Sequence, residues 1–141
     1  MGLEDRPIRV RYLGGDRLQI DAGGHVLFSD QPVEDGGEGL APSPTEIFLS
    51  GLAGCVAFYA ERFLRRHGLS TEGLSVECGF AWADNPHRVG EIAIDVEAPG
   101  LVPEHREGFN RVIDHCTLHT TLRRPPEVNI RLKAPAAARV A

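Results

Sequence analysis

The sequence predicts an α+β domain with elements in the order βββ–α–ββ–α–β. Three observations carry this prediction. The first forty residues alternate apolar and polar side chains between glycine-rich turns. A long apolar helical run then opens at Ser43. Two further period-two strands follow, then a shorter helix and a last strand. Strands that cluster, with few helices between them, fit α+β better than a regular β/α alternation.

The N-terminal meander consists of Ile8–Tyr12, where Ile8, Val10 and Tyr12 alternate with Arg9 and Arg11, then Leu18–Ile20 and His25–Phe28. Gly14-Gly15-Asp16 and Gly23-Gly24 supply the turns. Residues 30–44, rich in Gly, Pro and acid, read as a surface loop. Ser43 is a good N-cap, Pro44 suits the first helical position, and Glu46 completes the pattern of a capping box. The helix is expected to end near His67, with Gly68 just past the end and Arg62, Arg65 and Arg66 favourable at the C-terminus. From Ile47 to Ala60 the only polar side chain besides Cys55 and Tyr59 is Ser50. A helix this apolar on every side is expected to be buried on every side.

Leu74–Trp82 puts Leu74, Val76, Cys78, Phe80 and Trp82 on one strand face, and Val89–Ala98 does the same with Ile92, Ile94 and Val96. The stretch Ala83–Arg88 makes the hairpin loop between them. Pro103 starts a second helix, on which Phe109, Val112 and Ile113 share a face, reaching Asp114-His115-Cys116. Val128–Leu132 is the last predicted strand, and the Ala/Pro-rich tail from about 134 is expected to be loose.

At 141 residues the chain is read as one domain, residues 1–141, near the size where dimerisation adds much stability. A net charge of −5 argues against a nucleic-acid partner, which needs a basic surface. The N-terminus carries no apolar signal region. The apolar part of the central helix falls short of the ~20 residues a membrane span needs, so no membrane partner is expected. Three cysteines in such a chain suggest thiol chemistry in a reducing compartment, and a cytoplasmic location is expected.

The chemistry rests on the cysteines. Cys55, deep in the apolar helix, is either a small core residue at a tight helix crossing, beside Gly51, Ala53 and Gly54, or a reactive thiol in a dry pocket. Burial alone would make it unreactive, so a cation from elsewhere would have to activate it. Cys116, in Asp114-His-Cys-Thr-Leu-His119, has a polar, partly exposed setting in sequence. A buried thiol beside a more mobile one can be oxidised to sulfenic acid and resolved as a disulfide. Cys78 reads as core filler. A zinc site on Cys116, His115 and His119 lacks further ligands at the usual spacing, so no metal and no cofactor are assigned.

The run Ser43-Pro-Thr-Glu-Ile-Phe-Leu-Ser-Gly-Leu-Ala-Gly-Cys55, followed by His115-Cys-Thr-Leu-His-Thr-Thr-Leu122 and then a strand, resembles the OsmC/Ohr superfamily of osmotically inducible and organic-hydroperoxide-resistance proteins. The resemblance spans most of the chain. It implies an OsmC-like fold and an intertwined homodimer whose two central helices pack between sheets built by both chains. It also implies a thiol-dependent peroxidase reducing organic hydroperoxides. Carried over, Cys55 is the peroxidatic residue and Cys116 the resolving one. An arginine of the N-terminal strands (Arg17, or else Arg9 or Arg11) and Glu46 hold and polarise Cys55. The implied partners are a hydroperoxide and a thiol or dithiol reductant. The motif departs from the peroxidase branches at one point. There the glutamate directly follows the proline; here Thr45 takes that place and Glu46 comes one residue, about 100° of helix, later. That shift keeps open an alternative, a non-catalytic dimer that binds or senses a hydrophobic small molecule. A metal-dependent hydrolase ranks behind both.

Overall fold

The computed structural model describes residues 6–135. The expectations for the first residues, and nearly all of the expected tail, lie outside them. Three strands, β1 (Arg9–Gly14), β2 (Arg17–Ala22) and β3 (His25–Ser29), form an antiparallel meander. Its register places Val10, Ile20 and Leu27 side by side, as the alternation predicts. A 3-10 turn at Val33–Asp35 interrupts the loop that follows. The long helix α1 then runs Pro44–Arg66.

The start of α1 is the predicted capping box. Ser43 Oγ accepts the Glu46 amide at 3.2 Å, and Glu46 Oε1 accepts the Ser43 amide at 3.3 Å. Its end is a Schellman motif: Gly68 takes a left-handed φ of 66°, the Leu69 amide reaches Leu64 O, and the Gly68 amide reaches Arg65 O. By length and composition α1 could cross a bilayer. Here it packs against β4 (Ser75–Ala83), α2 (Arg106–Asp114) and α3 (Thr117–Arg123), which makes it the core helix of the domain.

Strand β4 pairs antiparallel with β5 (Arg88–Glu97), aligning Val76 with Val96, Cys78 with Ile94 and Phe80 with Ile92. The half of this hairpin near Val76, Ile94 and Val96 lies on α1. The other end, with Phe80 and Trp82, stays exposed. One core cluster gathers Ala60, Phe63 and Leu64 of α1 with Phe109 of α2; a second gathers Leu52 and Val56 with Cys116.

Three expectations need correction. The helix is buried on one side only in a single copy. Leu49, Leu52, Val56, Ala60 and Phe63 recur at three- and four-residue steps on the covered stripe, while Phe48 and Phe58 are about half exposed. The reason is the number of layers, since one chain supplies a cover for one side of α1 and none for the other. The second helix ends at Asp114, close to where it was expected to end, but Thr117–Arg123 forms a third helix, α3, where no element was expected. The last strand does not form among the described residues: residues 124–132 carry no strand pairing, and Val128, Ile130 and Leu132 are 72, 93 and 96% exposed. A strand needs an edge to pair with, and the chain leads this segment to none.

Candidate functional site

The α2–α3 corner carries one sulfur and α1 the other. Cys116 is the N-cap of α3, and its Sγ accepts the His119 amide at 3.3 Å. Its side chain is fully buried, while Cys55 is only half-buried. The exposures expected from sequence are therefore reversed. The polar neighbours of Cys116 belong to the corner's outer surface, and the sulfur itself turns inward against Leu52 and Val56, where Cys55 packs beside it. Burial pushes the Cys116 thiol above its ordinary pKa. The adjoining Cys55 raises it further, and the amides of His119 and Leu118 offset only part of the rise.

Several contacts hold this corner. Tyr59 Oη and Thr117 Oγ1 lie 2.7 Å apart, tying α1 one turn past Cys55 to the residue next to Cys116. Arg123 Nη2 donates to both carboxylate oxygens of Asp114, at 2.9 and 3.0 Å, joining the last residue of α2 to the last of α3. That hydrogen bond holds the Asp114 carboxyl below the usual range, overcoming its partial desolvation. His119 and His115 place Nδ1 atoms 3.7 and 4.0 Å from Asp114. Among the described residues no three His, Cys, Asp or Glu side chains are grouped as a metal would require.

The other predicted site residues lie apart from the sulfurs. Glu46 is exposed and engaged in its capping box, more than two helical turns before Cys55. Arg17 lines a small hollow with Leu13, Phe28 and Asp30 on the meander side, and no meander element packs extensively on α1. Among the described residues no guanidinium hydrogen-bonds either cysteine. Cys78 is half-buried on β4 opposite Ile94, in neither core cluster. The small residues beside Cys55 make no tight crossing within the chain: a Cβ at Gly54 would meet nothing within 4 Å, and one at Gly51 only Leu118 at 3.8 Å.

Sequence reading missed Asp30. It is buried and accepts the amides of Gln31 (2.8 Å), Leu40 (3.1 Å) and Glu38 (3.2 Å), folding the loop before α1 around itself. Burial pushes its carboxyl up, but the three amides and Arg17 outweigh it, and its pKa is lowered. The glycine cluster was the available signal. A Cβ at Gly37 would collide with the Gln31 carbonyl, so only glycine lets the loop close over the aspartate. Tyr59 and Thr117 left no sequence signal, because their meeting depends on how α3 docks.

Beyond the sulfurs lies a cavity of about 800 Å³. Leu52, Val56, Ile92 and Ile94 form its apolar wall, and Asp114, His119 and Arg123 stand at its polar side.

The elements and the paired sulfurs define an α+β protein with two thiols brought together across a central helix. The chain belongs to the OsmC-like protein family, whose pattern matches residues 36–131. Solved structures share the fold. A Psychrobacter arcticus 273-4 protein described as an osmotic stress induced and detoxification response protein is 23% identical, with a TM-score of 0.75 over 86% of this chain and 89% of that one. An organic hydroperoxide resistance protein OsmC from Legionella pneumophila is 21% identical, with a TM-score of 0.66 over 87% and 92%. An OsmC-like protein from Mycoplasma pneumoniae is 19% identical, with a TM-score of 0.69 over 85% and 88%. No curated protein matches the chain significantly.

Proposed function

We propose that this protein is a thiol-dependent peroxidase that reduces organic hydroperoxides through Cys55 and Cys116. The observation that carries the reading is the packing of these two cysteines together in an apolar setting. The Cys55 thiolate attacks an oxygen of the hydroperoxide, the O–O bond breaks, and the alkoxide takes a proton and leaves as the alcohol. Cys55 becomes a sulfenic acid. The Cys116 sulfur attacks it, hydroxide leaves as water, and a disulfide forms. An external thiol or dithiol returns the two electrons. Family membership and the Legionella pneumophila relative's name support a hydroperoxide as the substrate.

The working unit in this reading is a homodimer. The half-exposed apolar side of α1 and the unpaired Val128–Leu132 segment both call for a cover that a second copy can supply. The meander stands away from its own α1, so Arg17 reaches a Cys55 pocket only across such an interface. There its charge would favour the thiolate. Three cysteines, an odd number, accord with a reducing, cytoplasmic setting.

Treating the purified protein with cumene hydroperoxide tests the reading. Two thiols per chain should disappear and a Cys55–Cys116 disulfide should appear in a peptide map; an unchanged thiol count rejects the proposal. A second reading, a dimer that binds or senses a hydrophobic molecule without turnover, is favoured by Glu46, whose carboxylate is engaged at the helix cap. Steady-state assays with several hydroperoxides and a dithiol separate the two, since a binder gives no turnover.

A further inference from the structure

We infer that the external thiol of the catalytic cycle attacks the oxidised pair at Cys55 Sγ and expels Cys116, so that the mixed disulfide forms on Cys55. This rests on the cysteine-pair reading and adds its reductive half. The burial of the two sulfurs differs in kind. Cys116 is closed in at the α2–α3 corner against Leu52 and Val56, while Cys55 is half-open.

The helix surface around Cys55 explains the opening. A helical side chain leans toward the turn before its own Cα, so the Cys55 sulfur lies over Gly51. Gly51 is exposed and has no side chain, and Gly54 faces open space. Among the described residues only Leu118 Cδ1, 3.8 Å from a Cβ built at Gly51, comes near, so within one chain these glycines leave the sulfur partly uncovered. Thiol–disulfide exchange needs the incoming sulfur roughly in line with the bond it breaks, and its rate depends on access to the sulfur attacked. Cys116 is closed off on the inner side, so of the two sulfurs Cys55 offers the more open approach.

The exchange balances as follows. The thiolate of the reductant forms a new S–S bond to Cys55, and the Cys55–Cys116 bond breaks. Cys116 leaves with the electron pair and takes up the proton that the reductant released. The second thiol of a dithiol then attacks the mixed disulfide, returning Cys55 as a thiolate and leaving as the cyclic or linear disulfide. The His119 amide already points at the sulfur that must carry charge as it leaves. Burial makes Cys116 the costlier thiolate to expel, so access, not leaving-group ability, sets the direction. A second copy lying on α1 does not reverse this, because the hydroperoxide must reach the same sulfur.

The test starts from full-length protein oxidised with diamide, which makes the disulfide without any peroxide. Brief exposure to 2-mercaptoethanol, an acid quench, alkylation with N-ethylmaleimide and peptide mass spectrometry then locate the adduct. We expect mercaptoethanol on Cys55 and maleimide on Cys116, about tenfold or more above the reverse pattern. Equal labelling, or the adduct on Cys116, overturns the inference while leaving the cysteine pair intact. Failure of diamide to give any disulfide overturns the cysteine-pair reading, and this inference with it. Gly51→Leu, at an exposed helical position, should slow reduction of the disulfide by mercaptoethanol about tenfold without lowering the unfolding midpoint; an unchanged rate in a folded variant also overturns the inference.

Discussion

In the β4–β5 hairpin, Val76, Ile94 and Val96 lie against α1, whereas in the β1–β3 meander Val10, Tyr12 and Leu27 remain 55, 71 and 48% exposed. Both sheets alternate in sequence, and both have an apolar face. The difference is in what the chain brings to that face. The hairpin follows α1 directly and folds back on it. The meander precedes a loop organised around Asp30, which leads the chain away before α1 begins. Periodicity therefore tells which residues share a face, and connectivity decides whether one chain can cover it.

The largest effect separating these regions should come from Leu64→Ala. Leu64 is wholly buried in the helical core, and the cavity left behind should cost about 2–5 kcal/mol in a urea melt. Paired changes on the meander, Val10→Thr with Tyr12→Ser, should stay within about 0.5 kcal/mol at protein concentrations where single copies dominate. A loss as large as that of Leu64→Ala would show that the meander face is covered within one chain. The same double variant should weaken self-association by about tenfold, or 1.4 kcal/mol, in sedimentation equilibrium if a second copy covers that face. An unchanged dissociation constant would remove the meander from the interface.

Tyr59→Phe removes one half-exposed hydrogen bond to Thr117 and should cost about 0.5–1.5 kcal/mol, at the low end for its exposure. If that bond holds Cys116 to Cys55, disulfide formation after peroxide should slow more than global stability falls. Parallel losses would make the contact merely structural. The smallest effect should be seen in acid. The Asp30 carboxyl has a lowered folded pKa, so its contribution is present above its ordinary value of 3.8 and is lost as pH falls through the lower folded value. Asp30→Asn should lower the urea midpoint at pH 6 and flatten its decline toward pH 3; a decline as steep as in the parent protein would discount this carboxylate.

Much of the fold was legible because its signals are local. Ser43, Pro44, Glu46 and Gly68 bracket α1, and alternation places the strands within a residue or two. What escaped depends on distant neighbours. The strand propensity of Val128–Leu132 is real, but propensity cannot provide a pairing edge. Helix α3 went unread because Cys116 is an unusual N-cap. At the site, the choice of Cys55 and Cys116 followed from the family motif, and their contact appears only in the folded chain. Their relative burial could not be read at all, since polar residues flanking a buried atom say little about the direction in which that atom turns.

The use of a sulfur as the cap of α3 has one more consequence. An oxygen cap is chemically inert, but a sulfur cap would gain and lose a bond if the proposed Cys55–Cys116 disulfide forms. Helical order at residues 117–123 and the proposed redox chemistry of the corner would then be linked variables, with the linkage running equally in both directions. Fraying that short helix would alter the midpoint potential of such a couple, and changing the oxidation state would alter the fraying.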